Sequence, residues 1–134
     1  MHYLVAIEPA TRPAPFGVVV PDLPGCFATG DTVDEALANA EDAIAAWIAA
    51  ALEVGQTVPP PSEVTALRHR HRSWRTWTWA AVRIDPAALD ATRERISLQL
   101  PRCVLRRLDA LARSAGETRA GYVAKLAIEG AAVR

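Results

Sequence analysis

Five carboxylates near the start of the chain, Glu8, Asp22, Asp31, Asp34 and Glu35, have the chemistry to hold the cations of a metal-dependent nuclease. Their spacing argues against it. Only Glu8 ends an apolar alternation. Asp22 lies in the turn sequence Pro21-Asp22-Leu23-Pro24-Gly25, Asp31 precedes a helix, and Asp34 and Glu35 fall in that helix's first turn, where carboxylates complement its positive end. Metal ligands must converge on one point, whereas local structure already accounts for these positions. His69 and His71 alternate with Arg68, Arg70 and Arg72, so an extended segment would turn both toward one ion, but two ligands do not make a site. A solvated basic hairpin or linker is the expected reading. Trp77 and Trp79 share one face of a strand and could stack on RNA bases, although packing in a core or interface is the commoner use of Trp. Cys26 and Cys103 form no CxxC pair and read as two separate thiols. With no nucleophile and base pair, no glycine-rich phosphate loop and no zinc spacing, a non-enzyme is expected, with no cofactor and no metal.

The elements that position these residues follow from periodicity. Residues 2–8 alternate through Tyr3, Val5 and Ile7 and read as a strand, followed by a proline-rich loop over 9–15. A second strand over 16–20 enters the Pro21 to Gly25 turn, and a third over 26–30 completes an antiparallel meander. Asp31 or Thr32 then caps a long helix whose apolar face is Ala36, Leu37, Ala40, Ile44, Trp47, Ile48 and Leu52, with Gly55 just past its end. Pro59-Pro60-Pro61 forms a stiff spacer before a short helix starting near Ser62, and residues 77–84 read as a fourth strand. In the tail, Ile96, Leu98 and Leu100 alternate with Arg95, Ser97 and Gln99, so the apolar and polar sets occupy opposite faces of a strand. Pro101 opens a helix with Val104, Leu105, Leu108, Leu111 and Ala112 inward. Gly116 stops it, and Thr118 caps a second helix carrying Tyr122, Val123, Leu126 and Ile128. A lone strand cannot satisfy its own backbone, so the tail is expected to dimerise through it.

The 134 residues are 51% hydrophobic and 22% charged, which fits an ordinary globular protein and excludes a large multi-domain enzyme. The longest apolar run, 43–52, falls short of the ~20 residues needed to span a bilayer, and a cytoplasmic protein is expected. Net charge is zero, but the zero is a cancellation. Residues 1–65 hold one base against nine acids, a net −8, and residues 66–134 hold fourteen bases against six acids, a net +8. Two parts with different partners follow.

A strand, a proline, a helix, a glycine turn and a second helix over residues 94–132 resemble the ribbon-helix-helix family. There, two chains pair their strands into a ribbon that enters the major groove. That resemblance implies base contacts from Arg95, Ser97 and Gln99, and a DNA phosphate held at the start of the second helix by Thr118 and Arg119. Upstream, Val20-Pro21-Asp22-Leu23-Pro24-Gly25-Cys26 followed by Thr29-Gly30-Asp31-Thr32-Val33-Asp34-Glu35-Ala36 is similar to the signature of HicB family antitoxins. The implied fold is α+β: a partial ribonuclease-H-like toxin-binding domain over 1–91 and a ribbon-helix-helix DNA-binding and dimerisation domain over 92–134. The implied function is a type II antitoxin that neutralises a HicA-like mRNA interferase by direct binding and represses its own operon at operator DNA. A homodimer forms through the C-terminal strand, and a tetramer follows if the N-terminal domain also dimerises. The alternative is a DNA-binding regulator whose N-terminal domain serves oligomerisation or ligand sensing without a toxin.

Overall fold

The computed structural model describes residues 1–9, 15–90 and 92–130. The chain divides into two compact units, Met1–Ile84 and Asp85–Arg134. Most of the loop expected over 9–15 lies outside the described residues.

In the first unit β1 (His2–Ile7), β2 (Phe16–Val19), β3 (Phe27–Gly30) and β4 (Thr78–Arg83) form an antiparallel sheet in the order β3-β2-β1-β4. The alternation along β1 turns Tyr3, Val5 and Ile7 to one buried face, where register sets Tyr3 opposite Val82 and Ile7 opposite Val18. Helix α1 (Val33–Glu53) packs on β2, β3 and β4. It begins where Thr32 accepts a hydrogen bond from the Glu35 N–H at 3.1 Å, and its buried stripe is Ala36, Ala40, Ile44, Ile48 and Ala51. The stripe is narrower than the periodicity suggests. Leu52 is exposed, and Trp47 instead donates its ring N–H to the Pro24 carbonyl at 3.0 Å. Small residues let the helix lie close on the sheet, so close that a Cβ at Gly30 would stand 2.3 Å from the Ala36 nitrogen.

The Pro21 to Gly25 turn anchors the unit. Gly25 takes a positive φ of 77°, and the Cys26 N–H donates to the Leu23 carbonyl at 3.0 Å. Leu23 is fully buried. The buried Asp22 carboxylate accepts from the Ser62 N–H at 2.8 Å and from its hydroxyl at 2.7 Å, while the Tyr3 hydroxyl donates to the Pro59 carbonyl at 2.7 Å. The triple proline is therefore pinned to the core at both ends and delivers α2 (Val64–Arg70) with Leu67 buried.

The basic run is not extended. His69 lies in α2 and His71 caps its end, so residues two apart point about 200° apart around the helix rather than to one ion. A 3-10 turn at Arg72–Trp74 follows, and Trp77 precedes β4 instead of sharing a strand face with Trp79.

In the second unit Asp85 accepts from the Ala87 N–H at 3.0 Å and caps a 3-10 turn, Pro86–Ala88, whose Pro86 is buried. This turn packs against α4, which places the break between units at Ile84 and Asp85 rather than after residue 91. Counted by these units, six bases stand against nine acids (−3) and nine against six (+3), so the two signs hold while the contrast shrinks. Helices α3 (Arg102–Ser114) and α4 (Arg119–Glu129) are joined through Gly116, φ 69°. Over 95–100, where a strand is expected, the chain takes no regular secondary structure and pairs in no ladder among the described residues. A strand needs a neighbour, and a single copy of this segment supplies none.

Replacing Asp22 with Ala removes both acceptors from Ser62 and is expected to destabilise the first unit by about 1–3 kcal/mol. Leu23→Ala is expected to cost about 2–5 kcal/mol. Urea unfolding followed by Trp fluorescence reads both; a stability unchanged in Asp22→Ala would remove the carboxylate as the anchor.

Candidate nucleic-acid interface

The second unit is built from apolar positions that it cannot itself cover. Of the residues expected to face inward on α3, only Ala112 is buried, with Leu105 and Leu108 half-buried and Val104 and Leu111 exposed. On α4, Gly121 and Ile128 are buried, while Val123 and Leu126 are exposed. Ile96 and Leu98, ahead of α3, are 70% and 67% exposed, and Leu100 is exposed as well. Among the described residues, no hydrogen-bond partner is found for the backbone groups of 95–100.

The site residues expected from the sequence fall in two places. Arg95, Ser97 and Gln99 alternate in sequence with Ile96, Leu98 and Leu100, and all six are exposed. Thr118 and Arg119 begin α4. The Thr118 hydroxyl accepts from the Gly121 N–H at 3.0 Å, which leaves the Arg119 and Ala120 N–H groups of the first turn outside the internal ladder. The Arg119 guanidinium is not a free cation. It grips Asp109 on α3 with two bonds of 2.8 and 3.0 Å, in an open cleft also lined by Arg106, Arg113 and Glu117. Asp109 is the residue the sequence did not single out, because an acid on a polar helix face carries no signal of a partner ten residues on. The hydrogen bond from Arg119 holds the Asp109 carboxyl below its ordinary range, with the nearby charges of Arg119 and Arg113 adding to the effect. The same bond raises the Arg119 value further.

Among the described residues, no three His, Cys, Asp or Glu side chains gather where a metal ion could sit. Asp22, the most buried of the N-terminal carboxylates, is engaged by Ser62. Cys26 is buried and Cys103 exposed, both as free thiols, and burial raises the Cys26 value. No helix among the described residues is long and apolar enough to cross a membrane.

The family model of the HicB-like antitoxin of bacterial toxin–antitoxin systems matches residues 3–127. The chain belongs to that family. The family is one of antitoxins, not enzymes. This HicB-like antitoxin is 35% identical to the antitoxin HicB of Burkholderia pseudomallei. The crystal structure of that protein aligns with a TM-score of 0.76 over 96% of this chain and 97% of that one. A chain of the HicA3 and HicB3 toxin–antitoxin complex is 30% identical, with a TM-score of 0.52 over 64% of this chain and 100% of that one. A 14.9 kDa protein from the rep-hol intergenic region of Haemophilus phage HP1 is 31% identical over 109 residues, 81% of this chain and 80% of that protein. The HicB-like signature residues are structural here: Asp22, Leu23, Gly25 and Gly30 shape the turn and the helix approach, and Thr32 caps α1.

The pairing of Asp109 with Arg119 favours the ionised carboxylate of the folded state. Its contribution is fully present above the ordinary carboxylate range and is lost as pH falls through the lowered folded value. An NMR titration of the Asp109 side-chain carbon is expected to give a lower midpoint in the wild type than in Arg119→Ala. Identical midpoints would mean that the ion pair does not form in solution.

Proposed function

We propose that this HicB-like protein is a type II antitoxin whose first unit binds and occludes a HicA-like mRNA interferase, and whose second unit dimerises and represses its own operon at operator DNA. The toxin reading rests on membership of the antitoxin family and on the 30% identical relative, which was solved as a HicA3 and HicB3 complex. Blocking the toxin's catalytic surface would suffice for inhibition. In this reading the first unit is a partial ribonuclease-H-like domain that no longer does chemistry.

One observation carries the DNA reading: just ahead of the chain's proline-started helix, residues 95–100 carry three exposed large apolar side chains and, among the described residues, backbone groups without a partner. Pairing with the same segment of a second copy satisfies those groups, buries Ile96, Leu98 and Leu100, and leaves Arg95, Ser97 and Gln99 on the outer face of a two-stranded ribbon. Such a ribbon fits the major groove, where Arg suits guanine O6 and N7 and Gln suits adenine. Thr118 and Arg119 hold a backbone phosphate at the α4 N-terminus, with Asp109 setting the direction of the guanidinium. The net charge of +3 on this unit favours DNA, and that of −3 on the first favours a basic toxin.

Co-expression with the neighbouring reading frame is expected to rescue growth from the toxin and to co-purify the two proteins. A neighbour that is harmless alone and does not bind would favour a regulator without a toxin. Arg95→Ala is expected to weaken operator binding by about 1–3 kcal/mol and to relax preference at one base pair. Arg119→Ala should instead lower affinity for all sequences alike and reduce the salt slope. Leu98→Asp is expected to shift the protein toward monomer in sedimentation, with loss of operator binding. A Leu98→Asp protein of unchanged mass and affinity would show that the segment does not pair.

A further inference from the structure

The first unit is acidic in sum, yet residues 64–77 contain Arg68, Arg70, Arg72, Arg75, His69 and His71 and not one acid. The fold gathers these charges instead of dispersing them. Two successive turns of 3-10 type, from the Trp74 N–H to the His71 carbonyl (3.1 Å) and from the Trp77 N–H to the Trp74 carbonyl (3.0 Å), set residues three apart above one another. His71 therefore stacks on Trp74 with ring centroids 4.5 Å apart and planes at 17°, and Trp74 stacks on Trp77 at 5.7 Å and 30°. The same three-residue step aligns Arg72 with Arg75, whose N–H donates to the Arg72 carbonyl at 3.2 Å. Arg68 reaches from α2 to the Arg75 carbonyl at 3.3 Å. The Trp79 ring N–H fixes the far side of the turn by donating to the Trp74 carbonyl at 3.2 Å. The four arginines are exposed and, among the described residues, none pairs with a carboxylate. Three half-buried rings stacked in series and four exposed arginines without a carboxylate partner thus share residues 68–77.

We propose that His71, Trp74 and Trp77, flanked by Arg68, Arg72 and Arg75, form a binding surface for single-stranded RNA. Guanidinium groups match phosphate oxygens, and the two ends of the ring stack, at His71 and Trp77, are where unpaired bases would extend it. A duplex keeps its bases stacked on each other and would leave the rings idle. A carboxylate-rich protein surface would use the arginines but not the rings. RNA is the single strand that a cell supplies in quantity. The surface lies in the first unit and does not depend on the ribbon or on a toxin.

The test is fluorescence anisotropy of an end-labelled, mixed-sequence RNA of about 12 nucleotides, titrated with the full chain at several salt concentrations. Salt-dependent binding is expected, with quenching of Trp fluorescence. Arg72→Glu combined with Arg75→Glu is expected to weaken it at least about tenfold, with unchanged circular dichroism and unchanged affinity for duplex DNA. Trp74→Leu is expected to weaken it as well, and the arginine pair keeps the test decisive if Trp74→Leu misfolds. Equal RNA affinity in wild type and the arginine variant overturns the proposal. So does a wild type that prefers duplex RNA or single-stranded DNA of the same sequence. A variant that loses self-association while keeping RNA affinity also overturns it, and assigns the surface to an acidic face of a second copy.

Discussion

Two hydrogen bonds to one buried carboxylate hold the first unit in register across forty residues of sequence. Asp22 sits in a turn whose backbone is set by two prolines and a glycine, and from there it receives the N–H and the hydroxyl of Ser62. Buried carboxylates are costly unless their lone pairs are occupied, so the turn and the triple-proline segment are tied together. Everything downstream inherits that position: Leu67 enters the core, α2 ends at His71, and β4 returns beside β1. Trp47 closes the same turn from α1 by bonding the Pro24 carbonyl. The residues of the family signature thus have a structural part in the turn and the helix start.

The two units solve opposite problems. The first buries a core between a sheet and one helix, and among the described residues its buried polar side chains find partners. Among its described residues the second leaves Ile96, Leu98, Leu100, apolar positions on two helices and a stretch of backbone without cover. A strand is not stable alone in water, because each of its backbone groups needs a neighbour to pair with. A self-complementary contact with a second copy is the simplest closure, since it pairs identical rows about a two-fold axis. The ion pair between Asp109 and Arg119 then serves to brace α3 against α4 in a unit with little core.

Much of the fold was legible in the sequence because its signals are local. The alternation of Tyr3, Val5 and Ile7 gives β1, Thr32 gives the start of α1, and Gly116 gives the break between α3 and α4. The readings that changed depended on distant partners or on the wrong local period. His69 and His71, read as part of a solvated hairpin or linker, lie on and at the end of α2, and the turn at Arg72–Trp74 gives a step of three that pairs His71 with Trp74. Trp77 fell outside the strand for the same reason. For the polar residues of the tail, the sequence supplied their alternation, whereas the capture of Arg119 by Asp109 had no local sign.

By itself the sequence determined β1 to β3, most of β4, the helices α1, α3 and α4, the Thr32 and Thr118 caps, the α+β class and the family, because periodicity, prolines, glycines and a nearly ungapped signature act over a few residues at a time. Tertiary structure decided where the charges and rings meet. It joined Asp22 to Ser62 and Arg119 to Asp109, and it moved the unit boundary to Ile84 by packing Pro86 against α4. It also stacked His71, Trp74 and Trp77 within the arginine-rich stretch of an acidic unit. These are contacts between surfaces, and a surface exists only once the backbone has brought its pieces within a few ångströms of one another.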